Sequence, residues 1–358
     1  MLLSSLGITI LMLPLQLALT QPLLAQSLPS TREDRLNGLL DQGRDLVGAG
    51  QVAEAIAVYR EAAQLAPDNA RIFSAIGFLE ARQGNFEAAI EAYQQAIALE
   101  GNNPDFFYAL GFSKANLQDY AGAAAAYRQA IQLRRNDVES YLGLGIVLSR
   151  LGDYDGAIAA YRQVLAANPN NSRLYESIGS AYLQEQRYEE ARQALTRAAE
   201  LEPRRSTIQL NLGVALLNLG DIEAGMAALK RASELEPRNG LIHLQIGDVY
   251  RAQGNLEQAQ AQYERAITVE PGLKEAYIEL GELYLEAQDY LRAIVTYRKL
   301  VQLLPEDPDA RFQLAVALQG RDRIREALSA YEQARDLYQQ QNNAEGVQKA
   351  EDAIEELN

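Results

Sequence analysis

The stretch KEAYIELGELYLE, residues 274–286, carries two patterns at once. Tyr277, Leu280, Gly281 and Tyr284 stand three and four apart, the spacing of one buried helical face. Glu275, Glu279, Glu282 and Glu286 fall on a second stripe of the same helix. Like charges at such spacing repel by roughly 0.2–0.5 kcal/mol per pair in an isolated helix. The apolar face explains the helix, and the acidic stripe calls for a separate reason.

Working outward, the same arrangement recurs every 34 residues. A small residue occupies one slot at Gly43, Gly77, Gly111, Gly145, Gly179, Gly213, Gly247, Gly281 and Ala315. Twelve residues further on stand Ala55, Ala89, Ala123, Ala157, Ala191, Gly225, Ala259, Ala293 and Ala327. Four beyond those come Tyr59, Tyr93, Tyr127, Tyr161, Leu195, Leu229, Tyr263, Tyr297 and Tyr331. Pro67, Pro169, Pro203, Pro237, Pro271 and Pro305 close most of the units. The register runs without insertion from Leu36 to Gln341, which is nine units.

Each residue type has a physical role. Small residues allow two helices to approach closely, the aromatic fills space against the neighbouring pair, and proline, lacking an N–H, ends a unit. Short sequences such as Gly84-Asn85-Phe86 and Gly152-Asp153-Tyr154 suit a tight helix–helix connection. Gly101 and Arg135 stand in the proline slot of the second and third units and predict weaker boundaries there.

The pattern resembles the tetratricopeptide repeat (TPR) family. Phe73, Phe107, Tyr141, Tyr175 and Tyr277 replace the tryptophan that the family pattern carries early in its first helix. The resemblance implies an all-α fold: a right-handed α-solenoid of nine helix-turn-helix repeats over residues 36–341, with an extended concave face. Residues 342–358 read as a capping helix, with Val347, Ala350, Ile354 and Leu357 inward and Glu345, Glu351, Asp352, Glu355 and Glu356 outward.

The first charged side chain is Arg32. The apolar run before it, with Ala25 preceding Gln26, predicts a cleaved signal peptide at residues 1–25 and a polar leader at 26–35. Export, to a periplasm, is the expected location. The run lacks a basic start and has Leu23 ahead of the cleavage point, so an uncleaved anchor is the alternative; Pro14, Gln16, Gln21 and Pro22 disfavour a stable span. The alternative function is then a membrane-anchored structural subunit of an envelope complex.

The 358 residues contain no Cys and a single histidine, His243, in a slot where other repeats hold aromatics. Cys–His and Ser–His–Asp nucleophiles and thiolate metal sites are excluded or have nothing to build on, and no phosphate-binding glycine loop stands outside the period. The reading is non-enzymatic, with His243 a packed core residue. A net charge of −15 argues against a nucleic-acid partner. Asn170-Asn171-Ser172 matches a glycosylation sequon but lies in an inter-repeat turn, where Asn is common.

By the resemblance, certain first-helix slots line the concave face, and these divide into two zones. Arg44, Arg71, Phe78, Arg82, Tyr108, Phe112, Asn116, Ile146 and Arg150 form an aromatic strip flanked by arginines, a composition suited to a protein or peptide partner with an acidic or free C-terminal end. Packing of Phe78, Tyr108 and Phe112 against neighbouring helices is the competing reading. Asp248, Glu275, Glu279, Glu282 and Glu286 form an acidic wall that attracts cations. No cofactor is required. Asp248, Glu279 and Glu282 are the candidates for a Mn or Ca ion, since Glu279 and Glu282 lie roughly 4.5 Å apart along the axis. A solvated face or a cationic partner are the other readings of the stripe.

Leu40, Arg44, Ala75, Asp105 and Ala109 lack the Lys and Asn pattern of the chaperone-tail clamp known in this family, so that function is set aside. The repeat number, export signal and acidity resemble the cyanobacterial TPR factors of photosystem II assembly. That resemblance implies an assembly factor that binds and delivers Mn, and contact with a membrane only through a membrane-protein partner.

Overall fold

The structure, a computed structural model, describes residues 31–357. The expected signal peptide or anchor at residues 1–25 lies outside the described residues. The described chain forms two compact units, one ending at Phe106 and the other beginning at Phe107. All regular structure in both is helical.

The first unit holds repeats 1 and 2: α1 (Arg32–Gly48) with α2 (Val52–Leu65), and α3 (Ala70–Arg82) with α4 (Phe86–Leu99). Helix α1 begins four residues before Leu36, within the stretch read as leader. A capping box explains the early start: Thr31 accepts from the Asp34 amide, and the Asp34 carboxylate accepts from the Thr31 amide. Leu39, Ile56, Tyr59, Ile72, Ile76 and Leu79 make the core. Glu80, buried in α3, accepts from Arg60 of α2 at 2.7 Å and from Asn85 at 2.9 Å, so its charge is paired rather than stranded.

Helix α5 (Pro104–Asn116) carries the boundary between units. The second unit continues with α6 (Tyr120–Leu133), α7 (Val138–Leu151), α8 (Tyr154–Ala167), α9 (Ser172–Gln184), α10 (Tyr188–Leu201), α11 (Ser206–Asn218) and α12 (Ile222–Leu235). It closes with α13 (Gly240–Ala252), α14 (Leu256–Val269), α15 (Lys274–Glu286), α16 (Tyr290–Leu303), α17 (Pro308–Gly320), α18 (Ile324–Gln340) and α19 (Ala344–Leu357). Within it each helix packs on the next, and α9 also touches α11, so first helices adjoin across repeats. The small-residue slot meets the Tyr or Leu of the second helix. A Cβ on Gly145, Gly247 or Gly281 would stand 2.5 Å from the ring of Tyr161, Tyr263 or Tyr297. That ring packs on the glycine of its own repeat, and Tyr127 also packs on Gly143 of the following repeat, where a Cβ would stand 2.5 Å from it, so the ring serves the neighbouring pair as well.

Repeat boundaries do not depend on proline. Helices α4 and α6 end at Leu99 and Leu133, the same slot as elsewhere, although Gly101 and Arg135 follow. Asn103 and Asp137 accept from the amides of Asp105 and Ser140, and these caps start the next helix in register. In the ninth repeat a glutamine, Gln339, takes the proline slot and the cap comes later, where Asn343 accepts from the Gly346 amide at 2.9 Å: α18 runs 17 residues where α16 runs 14. Helix α19 then packs on it, with Ala350 buried and Val347 and Ile354 half-buried against the core.

Every turn inside a repeat passes through a left-handed residue. Gly50, Gly84, Gly152, Gly220 and Gly254 serve in five repeats, and Gln118, Gln186, Gln288 and Asp322 adopt the same positive φ, 54–62°, in the rest. A side chain there costs about 1 kcal/mol relative to glycine. Replacing Gln118, Gln186 and Gln288 together with Gly is expected to raise the guanidinium unfolding midpoint, with a gain of about 0.5–1 kcal/mol per site. A lowered midpoint would show that these side chains stabilise the turns.

Candidate functional site

The slot following the recurring small position is rotated about 100° from it around the helix, away from the contact with the second helix. In the first unit this places Phe78 on the surface, 57% exposed, with Arg71 and Arg82 also exposed and without ion pairs among the described residues. Arg44 is exposed and pairs with Asp41 on its own helix.

In the second unit the strip divides. Phe112 and Ile146 are 46% and 49% exposed. Tyr108 is half-buried, its ring 5.9 Å from that of Tyr127, so it belongs to the packing. Asn116 donates to the Phe112 carbonyl at 2.9 Å, a bond within its own helix. Arg150 is exposed and has no ion pair among the described residues. With Ile146 it lines an open cleft of about 440 Å³, shared with Tyr154, Ser177, Ser180 and Gln184. An apolar wall beside an unpaired guanidinium suits a short segment that carries an apolar side chain next to a carboxylate.

The acidic stripe is built around a cation of the protein's own. Arg251 of α13 reaches across to α15, where Nη1 donates to Glu279 at 2.5 Å and to Glu282 at 3.1 Å, and Nη2 donates to Glu286 at 2.5 Å. Burial disfavours its charge, yet the hydrogen bonds to Glu286, Glu282 and Glu279 prevail and raise its pKa. One guanidinium thus offsets the like-charge repulsion along residues 274–286. Glu275 stays exposed and outside the cluster.

Asp248, expected on the wall, is half-buried and turned toward its own repeat while it still lines an open cleft with Val214 and Gln245. It accepts from the Tyr263 hydroxyl at 3.0 Å and from Gln245 at 3.2 Å. Burial pushes its carboxyl above the usual aspartate range, against the lowering effect of the Tyr263 bond. Asp248, Glu279 and Glu282 therefore do not form an oxygen cage; Arg251 stands among the glutamates. Among the described residues no group of three or more carboxylate or imidazole side chains could hold a metal ion. His243 is 3% exposed and lies 3.0 Å from Gln262 and 3.1 Å from the Pro237 carbonyl, the packed arrangement expected of it.

Sequence spacing does not mark Arg251 as the centre of the stripe, since its partners lie 28 to 35 residues away. Nor does it mark Tyr297. Its hydroxyl is buried with no hydrogen-bond partner, although the equivalent Tyr263 and Tyr331 bond to Asp248 and to Gln319.

These two tyrosines predict opposite outcomes. Tyr263→Phe removes the donor to a half-buried carboxylate and is expected to destabilise by about 1–2 kcal/mol. Tyr297→Phe removes an unsatisfied hydroxyl and is expected to leave the unfolding midpoint unchanged or raise it. Asp248 adds a pH dependence. Its folded pKa is raised, so its stabilising contribution is present below the unfolded aspartate value and is lost as pH rises through the folded value. Asp248→Asn is expected to flatten that loss in unfolding measured above and below the aspartate range.

The tetratricopeptide-repeat family profile matches residues 108–172, 176–239 and 244–310. A TPR-repeat profile matches 43–84 and 79–118. A TPR repeat-containing protein of Picosynechococcus sp. is 57% identical over 58 residues, which is 15% of this chain and 15% of that relative. The chain thus matches only a small part of that relative's length. A tetratricopeptide repeat protein from Parabacteroides merdae superposes with a TM-score of 0.55 at 17% identity, over 70% of this chain and 98% of the other. The C-terminal part of a TPR repeat-containing protein from Cytophaga hutchinsonii gives 0.56 at 15% identity, over 67% and 98%. These structures share the fold. With more than half of the sequence matched in the register of the helix pairs, the chain belongs to the tetratricopeptide repeat family.

Proposed function

We propose that this protein is a non-enzymatic TPR scaffold that binds an extended segment of a partner protein on the face formed by its first helices. The observation that carries the reading is the exposure of Phe112 and Ile146 at the same slot of successive repeats, beside the unpaired Arg150 and its cleft. Large apolar side chains left in water next to arginine favour a partner that covers them. Phe78, with Arg71 and Arg82, offers a second surface of the same composition in the first unit.

Ile146 stands outside the packed core of its repeat. The interior is filled by the Gly–Tyr contacts and the alanines, so the slot is open to partner recognition. An exported assembly factor is the setting the leader suggests, and it rests on residues outside the described ones. The anchored-subunit alternative rests on the same residues; no described helix is long and apolar enough to cross a membrane. Manganese delivery gains no support from the donor set, which is organised around Arg251.

A displayed peptide library tests the proposal. Selection on the full chain is expected to yield segments with an apolar anchor next to a carboxylate. Phe112→Asp with Ile146→Asp is expected to weaken the selected peptides at least tenfold while leaving helicity unchanged, and Arg150→Ala to weaken those with the carboxylate. Selected peptides that bind the double variant undiminished would place recognition elsewhere.

A further inference from the structure

The Arg251 cluster holds three carboxylates on one guanidinium, and each glutamate uses a single oxygen in that contact. The three glutamate side chains are one-third to one-half exposed. Beside the glutamates, the equivalent slots on the first helices of repeats 7 to 9 hold Leu241, Gln245, Ala252, Gln313, Val316 and Gln319; the further basic residues on these helices are Lys274, exposed at the start of α15, and Arg311. The cluster therefore carries excess negative charge at a fixed place.

A second observation points into the same cluster. Tyr297 is 1% exposed and its hydroxyl has no partner. Its ring carbon bearing the hydroxyl packs on Gly281, the residue before Glu282; burial pushes the hydroxyl pKa up, and the charge of Glu282 pushes it further. Glu282 occupies the slot that Asp248 occupies one repeat earlier. There the carboxylate accepts from the tyrosine beneath it at 3.0 Å. Glu282 has turned to Arg251 instead, and the Tyr297 donor is left over.

We propose that Glu279, Glu282 and Glu286 form a docking site for a lysine or arginine side chain on a basic segment of the partner, with Arg251 as the resident cation. The proposal rests on the scaffold reading and adds a partner chemistry to it. An incoming ammonium takes the free oxygens of Glu279 and Glu286. Glu282 is then released from Arg251 and accepts from the Tyr297 hydroxyl, so the buried donor gains its partner in the bound state. The carboxylates and the hydroxyl exchange hydrogen bonds only, and no proton is transferred.

The test is fluorescence anisotropy of the full chain with a labelled octapeptide of alternating lysine and glycine, at low and at physiological salt. Glu279→Gln with Glu286→Gln is expected to weaken binding at least fivefold. Glu355→Gln with Glu356→Gln, an equal charge loss on α19, is expected to leave it unchanged. Arg251→Gln removes the competing cation and is expected to tighten binding several-fold, a sign that structural damage would not produce. Tyr297→Phe is expected to weaken binding about threefold or more without lowering the unfolding midpoint. Equal losses in the two double variants would reduce the site to bulk charge and overturn the proposal, as would an Arg251→Gln chain that binds less. Phe112→Asp with Ile146→Asp should leave this probe unaffected, so a failure here is distinguishable from failure of the scaffold reading.

Discussion

The structure depends on a contact that admits no side chain. In eight of nine repeats a Cβ at the small slot of the first helix would stand 2.5–2.9 Å from a Tyr or Leu of the second. Packed interiors do not absorb an overlap of that size without moving a helix. Fixing this point fixes the rotation of the first helix about its own axis. The next residue along is rotated away from that contact, and in repeats 2 to 4 it leaves the side chains of Phe78, Phe112 and Ile146 exposed. Phe78, Phe112, Ile146, Asp248 and Glu282 all stand at that slot. Function in this protein is therefore a consequence of register.

Adjacent repeats are joined by a second recurring device. Arg60 donates to Glu80 in the first unit. In the second unit Arg162 donates to the Tyr182 hydroxyl at 2.7 Å, and the Tyr284 hydroxyl donates to Glu264 at 2.6 Å. In all three, a residue late in a second helix meets the first helix of the following repeat, 20 positions on. The donor and acceptor exchange sides without altering the geometry. Such half-buried polar ties set register between repeats while the apolar contacts supply most of the stability.

The helix pairs were legible in the sequence because a 34-residue period states every contact nine times. What the period does not state was less accessible. Gln118, Gln186 and Gln288 adopt a glycine backbone because the helices on either side impose it, which no propensity rule favours. Arg32–Arg35 joined α1 through a local capping box that lies outside the repeat. At the candidate site, exposure of Phe78, Phe112 and Ile146 followed from the register. The packing of Tyr108 did not, since it depends on Tyr127 in the next helix. The inward turn of Asp248 and the convergence of three glutamates on Arg251 are choices between partners that sequence spacing leaves equal.

The difference between Asp248 and Glu282 shows how small such a choice is. Both occupy the same slot, above a tyrosine that packs on glycine. The shorter aspartate ends near the hydroxyl below it and is held inside its own repeat. The glutamate is longer by one methylene and reaches Arg251 on the preceding repeat. That single carbon converts a bond within a repeat into one between repeats, and it strands the Tyr297 hydroxyl. A buried donor without an acceptor costs roughly 1–3 kcal/mol, comparable to the gain from one charge-assisted hydrogen bond. The observed position of Glu282 and the one proposed for the bound state are therefore close in free energy. A cation arriving at the surface of the cluster needs to shift that balance only slightly to move the carboxylate from one repeat to the other.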